Sequence, residues 1–363
     1  MKKDNYNYGI DVLKIIATFM MIVMHIMLQG GILANTQVGS ANYYVTWVLE
    51  SICFVSVDLY GLISGYLNAR KEVKRRTFIK RWLQVFFYVF LFTAIFSVTS
   101  GVVTSRDWLK AFMPILSSQY WYFTQYFVLF MLMPYLNKMI KNLNESDYKK
   151  LILTVMIVFS ILPFLSETDV FWTNDGYSCL WLIVLYLIGG YFSYYKDSFK
   201  LSKKMVLGGI FLALGMTAFS KFFMDSYRNI EFNNVGALYF LNYTSLPILL
   251  ASIGMLMLAR AAKIERGRKI IKFLGKVTFG VYLFHVNIFV WNYVLFDLCT
   301  FMANWSTGLL IVGLFGMALG VFALATIVEF LRMKIFEVAR IDKLGDWVGI
   351  KVGKVMNYIA NKV

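Results

Sequence analysis

Two histidines and three cysteines are all that this chain holds in 363 residues. Cys53, Cys179 and Cys299 make neither a disulfide framework nor a metal-ligand spacing, so no metal centre is expected. Cys179 and Cys299 fall near one expected membrane face, which leaves a single bridge open if the geometry agrees. Proline is scarce too, at four residues, and no repeat of fixed period or low-complexity linker interrupts the chain. Acidic residues number 20 against 36 Lys and Arg, a net charge of +16. That balance alone would suit nucleic acid, but the placement of the charges argues otherwise. No small-residue cleavage site follows the first apolar run, which is expected to remain as an uncleaved span.

What is abundant is apolar surface. The chain is 59% hydrophobic, and the excess lies in runs of about twenty residues, the length that crosses a bilayer. The expected fold class is all-α, a polytopic membrane protein built as a bundle of about ten transmembrane helices. The runs cover roughly 9–29, 43–67, 78–100, 119–138, 150–166, 178–195, 204–223, 236–259, 277–297 and 307–331. Loops on one side carry 31 Lys and Arg against four on the other. The positive-inside rule then puts both termini and the basic loops in the cytoplasm. Residues 1–337 read as the membrane domain. Residues 338–363 read as a basic amphipathic tail on the inner leaflet.

The first run, DVLKIIATFMMIVMH, carries the chemistry. Lys14 and His25 are eleven residues apart, about three helical turns, so both project from one face with a rise of about 16 Å between them. Asp11 and Thr18 share that stripe. Polar groups inside a membrane helix face the bundle or a wet cavity, not lipid. His25 then stands at mid-depth as a candidate general base. The structural alternative is a helix–helix hydrogen bond. His285, the other histidine, shares a face with Thr278, Tyr282 and Asn292 and could act as acid–base group, positioner or structural hydrogen bonder. Asp58 lies at the depth of His25 and needs a partner, either His25 or Lys14. Glu50 lies nearer the outer face, where water can solvate it. Trp121, Tyr122, Gln125 and Tyr126 open the fourth span and read either as an aromatic belt or as a platform for a sugar ring. Arg76, Lys80 and Arg81, at the start of the third span, read as topology signal and lipid contact or as phosphate ligands.

Together these features resemble the acyltransferase-3 family of bacterial membrane O-acyltransferases. The motifs are IDVLKIIATFMMIVMH with its Lys14–His25 pair, FVSVDLYGLISGYL around Ser64–Tyr66, the basic run before the third span, WYFTQYFVLFMLMPYL, and GVYLFHVNI around His285. The chain departs where many members have two arginines three apart, since Arg76 and Arg81 are five apart with Lys80 between. It also has Thr124 and Gln125 where some members have a glutamate.

The resemblance implies transfer of an acyl group, usually acetyl from acetyl-CoA, to a carbohydrate hydroxyl on a surface polysaccharide or lipid-linked sugar. No cofactor would be bound permanently, and acetyl-CoA would be the donor substrate. The implied catalytic residues are His25, Asp58 and His285. Lys14, Arg76, Lys80 and Arg81 would hold the donor. Asp11, Trp121, Tyr122, Gln125, Tyr126 and Tyr282 would line the acceptor side. The partners are acyl-CoA, a carbohydrate acceptor and membrane lipid, with no nucleic acid and with homo-oligomerisation left open. The setting would be a bacterial inner membrane. Whether the acyl group passes directly or through an acyl-histidine stays open. The competing class is a glycan or lipid transporter or flippase. Against it stands the absence of a Gly/Pro-broken helix pair in the sequence.

Overall fold

The computed structural model describes residues 6–165, 169–195, 201–228 and 240–360. Among them every regular element is helical. The first expected span is α1, Tyr8–Leu28, capped by the Asn7 side chain, with a short α2, Ile32–Asn35, behind it. The second is α3, Ala41–Cys53, and α4, Ser56–Asn68, which together form one apolar crossing over Ala41–Asn68. The third is α5, Arg75–Thr99, followed by a short helix α6, Ser105–Phe112, closed by a reciprocal Thr104–Asp107 cap. Those Thr104 hydrogen bonds hold the Asp107 carboxyl below its ordinary range.

The next spans correspond to α7, Trp121–Asn142, α8, Glu145–Met156, α9, Cys179–Tyr194, α10, Lys203–Arg228, and α11, Leu246–Ala261. Residues 166 and 236–239 of the expected spans lie outside the described residues. The last are α12, Arg268–His285, with α13, Ile288–Val290, and the long α14, Thr307–Val338. The protein is therefore an all-α polytopic membrane protein. Among the described residues five helices are long and apolar enough to cross, six if the bent pair Arg268–His285 and Ile288–Leu295 counts as one. α9 and α11 are apolar but shorter.

α1 packs against α3, α4, α11, α12 and α14 and so occupies the middle of the bundle. α14 instead turns Leu309, Val312, Leu319, Leu324 and Ile327 outward, as a lipid-facing helix must. Helix association in lipid relies on close backbone approach at small residues. α4 and α9 show it. A Cβ on Gly65 would lie 2.1 Å from the Tyr186 carbonyl oxygen, and one on Gly189 would lie 2.0 Å from that of Leu62. Neither position has room for a side chain.

One expected span is bent. α12 stops at His285, and the chain bends by 56° before Ile288. No proline or glycine marks the break. Asn287 makes it, accepting from the Phe289 amide at 3.1 Å and donating to the Tyr120 hydroxyl at 3.0 Å. Asn292 therefore lies beyond the bend and shares no continuous helical face with His285. The Cys179–Cys299 bridge does not form, and all three thiols are free. The last helix is α15, Ile341–Ala360. It packs along α5, with Lys80 paired to Asp346 at 3.5 Å.

Candidate active site

The break after α12 brings the two histidines together. His285 Nδ1 donates to its own helix at the Val281 carbonyl, 2.7 Å away. Its Nε2 lies 3.1 Å from His25 Nδ1. A carbonyl can only accept, so the proton of a neutral His285 sits on Nδ1 and Nε2 accepts. His25 Nδ1 must then donate, which leaves its Nε2 with a free lone pair. His285 is 3% exposed, whereas His25 is half-buried and opens onto a cavity of about 390 Å³. Trp291 meets the His25 ring edge-on at 4.9 Å and fixes its tilt. One ring nitrogen is thus held and the other is left able to accept a proton, the arrangement a general base requires.

The cavity is aromatic. Tyr60, Trp121, Tyr122, Tyr177, Tyr243 and Tyr282 line it, with Glu50 as the one carboxylate among the described residues. Tyr60 contacts the Thr18 hydroxyl, which itself donates to the Lys14 carbonyl at 2.7 Å. The polar stripe of α1 therefore runs up to the cavity floor.

A second cavity, of about 970 Å³, lies where the N-terminal ends of α5 and α12 meet the C-terminal end of α14. Eight Lys and Arg line it against two Glu. Arg76, Lys80 and Arg81 come from α5, Lys276 from α12, Arg332 and Lys334 from α14, and Arg340 and Lys343 from the turn into α15. Glu329 organises its wall. It accepts from Arg332 twice at 2.8 Å, from Gln84 at 3.0 Å and from Tyr88 at 2.9 Å. Gln84 also accepts from Arg81 at 2.9 Å, which fixes that guanidinium. Gly280 leaves the space Glu329 fills, since a Cβ there would lie 2.3 Å from its carboxylate. The Arg81 guanidinium also rests 5.2 Å from the centre of the Phe279 ring. Phe279 lines the first cavity, so one ring separates the basic cavity from the histidine cavity.

The expected site residues divide between these places. His25, Trp121, Tyr122 and Tyr282 line the aromatic cavity, with His285 directly behind His25. Arg76, Lys80 and Arg81 line the basic one. Lys14 reaches neither lining. It is paired with Asp11 at 2.9 Å, and Tyr6 donates to the same carboxylate at 2.6 Å. Asp11 is thus committed at the base of α1, away from the aromatic cavity. Asp58 partners neither His25 nor Lys14. It is fully buried and accepts from the Trp181 indole at 2.9 Å. Gln125 lies outside both linings, and Tyr126 lines a separate cleft with Lys71, Lys74 and Thr77. Glu50 is not solvated at the outer face but is 3% exposed in the cavity wall.

Sequence reasoning missed Glu329 and its partner Arg332. The signal was present, since a carboxylate inside the last apolar run requires a partner. Tyr177, Tyr243 and Trp291 carried no such signal, because an aromatic near a span end reads equally well as an interface anchor.

Residues 7–328 match a family model, Acyl_transf_3, described as an acyltransferase domain. No curated protein and no solved structure matches the chain.

Proposed function

The chain belongs to the acyltransferase-3 family and is a membrane acyltransferase, and from that premise we propose that it moves an acyl group, acetyl above all, from cytoplasmic acyl-CoA to a carbohydrate hydroxyl, with His25 as general base. The observation that carries this reading is the Val281–His285–His25 chain ending at an open cavity. The acceptor hydroxyl gives its proton to His25 Nε2 as its oxygen attacks the thioester carbonyl. The tetrahedral intermediate collapses with loss of the CoA thiolate, which takes the proton back from His25. Hydrogen-bonded to Val281, His285 keeps His25 in the productive tautomer and is a positioning residue. Direct transfer needs no acyl-histidine.

The donor fits the basic cavity by charge. The phosphates of acyl-CoA are strongly anionic, and guanidinium groups bind phosphate in a bidentate manner. Arg76, Lys80 and Arg81, with Lys276, Arg340 and Lys343, are the ligands this reading assigns. The pantetheine arm would pass Phe279 to reach His25. Arg81→Ala should weaken acetyl-CoA binding about tenfold or more. Its salt dependence should become shallower as each charge is lost. Equilibrium dialysis of purified variants with labelled acetyl-CoA measures this, and an unchanged affinity for Arg81→Ala would move the donor site elsewhere.

Orientation follows from the same reading. The basic cavity must face the compartment that holds acyl-CoA, which is the side the charge bias makes cytoplasmic. The protein would then lie in a bacterial inner membrane with both termini inside and α15 against the inner leaflet. A cysteine placed at exposed Asn35 should label from outside intact cells, and one at exposed Lys71 should not. Labelling at position 71, or none at 35, would reverse the orientation.

A further inference from the structure

Glu50 has no assigned task in this chemistry, and its surroundings ask for one. It projects from α3 into the aromatic cavity, one turn before Phe54 on the same face. It is 3% exposed, and its Oε2 makes no hydrogen bond. Among the described residues the cavity lining contains no Lys or Arg. Lys221 packs over Trp47 on the same helix, at 4.3 Å from the ring centre, but both Asp225 oxygens hold it, at 2.5 and 2.7 Å. A carboxylate at membrane depth without a countercharge is costly, by several kcal/mol.

The rest of the wall has a matching character. Phe54 stacks on Tyr243 at 4.6 Å, Tyr243 meets Tyr177 at 5.1 Å, and Tyr177 meets Trp121 at 4.7 Å. Aromatic faces attract cations, most strongly where water is excluded. A neutral hexose would hydrogen-bond to Glu50 but would supply no countercharge. A uronate or a sugar phosphate would meet a like charge. An ammonium group satisfies the carboxylate and the rings together.

We propose that Glu50 and this aromatic wall recognise a free amino group on the acceptor, so that the substrate is an unsubstituted amino sugar. The assignment rests on the reading that the aromatic cavity holds the acceptor. It also explains transfer to oxygen. An amine held as ammonium has no lone pair and cannot attack, so the hydroxyl beside His25 is the nucleophile. The O–C bond forms, the C–S bond breaks, and the hydroxyl proton passes through His25 to the leaving thiolate.

The test uses the full chain in detergent with three probes, methyl β-glucosaminide, methyl N-acetyl-β-glucosaminide and methyl β-glucoside. Binding is read from the fluorescence of the cavity tryptophans and from thermal stabilisation. The glucosaminide should bind about tenfold tighter than the other two. Glu50→Gln is close to isosteric and should abolish that preference, so that the three probes bind within about twofold of one another. Glu50→Asp keeps the charge and should retain part of the preference, which separates loss of charge from loss of fold. Equal binding of the three probes to the wild type would overturn the proposal, as would an amine preference that survives in Glu50→Gln. Acetyl-CoA affinity is measured in the same samples. Normal donor binding without amine preference defeats this proposal and spares the acyltransferase reading. Amine preference without donor binding upholds Glu50 and defeats the assignment of the basic cavity.

Discussion

Replacing His25 with glutamine should lower acyl transfer by about 10²–10⁴-fold, the usual contribution of a positioned general base, while acetyl-CoA still binds within a few-fold. Glutamine can preserve one hydrogen bond to His285 but cannot accept a proton at neutral pH. The donor phosphates would be held in the basic cavity, on the far side of Phe279, so their affinity should not sense the change. His285→Ala should be milder. It removes the group that holds the tautomer, leaves His25 free to rotate, and should lower kcat more than it changes donor affinity. The measurement is acetyl transfer and donor affinity on purified variants of equal thermal stability. Substantial turnover by a folded His25→Gln protein would end the general-base assignment. Loss of donor binding in that protein would instead mark His25 as a structural residue.

The largest stability effect is expected at Glu329 and Arg332. Both are buried, with side chains 2% and 10% exposed, and they are joined by two bonds of 2.8 Å. Removing one member breaks a buried, doubly bonded ion pair, at a cost of about 3–5 kcal/mol. Arg332→Leu should therefore destabilise severely, since Gln84 and Tyr88 supply hydrogen bonds to Glu329 but no charge. Replacing both members with leucine removes the charges together and should recover much of the loss, as buried pairs often allow. Thermal unfolding in detergent distinguishes the two. A double variant no more stable than the single would mean that the pair acts through the surrounding network and not through charge. Arg81 should be affected as well, because Gln84 bridges it to Glu329. The single variant should thus also weaken donor binding.

Much of the architecture was legible in the chain. Each expected apolar run overlaps a helix among the described residues, although 240–245 lie ahead of α11 and are not helical, since spanning length and polarity are local properties. The clustering of Arg76, Lys80 and Arg81 was legible too, and all three line one cavity. Partners were not legible. Asp58 was expected to meet His25 or Lys14 by depth alone, yet it bonds to Trp181, 123 residues away. Lys14 was expected to join the arginines of α5 but is held by Asp11 one turn before it. Depth gives one coordinate of a side chain. Its direction around the helix matters only once the neighbouring helix is known.

From the sequence alone came the membrane setting, the all-α class and the family. These depend on hydropathy, charge count, helical periodicity and local motifs, which involve no contact between distant residues. The tertiary structure alone decided that His285 holds His25, that Asn287 breaks α12 at the place where the two rings meet, and that Glu50 lines the cavity without a countercharge. It also decided that Glu329 gathers α5 and α14 around the basic cavity. Each of these is a contact between helices far apart in the chain. In lipid such contacts are selected by backbone approach and by the need to satisfy every buried polar group, conditions that exist only when the bundle is assembled.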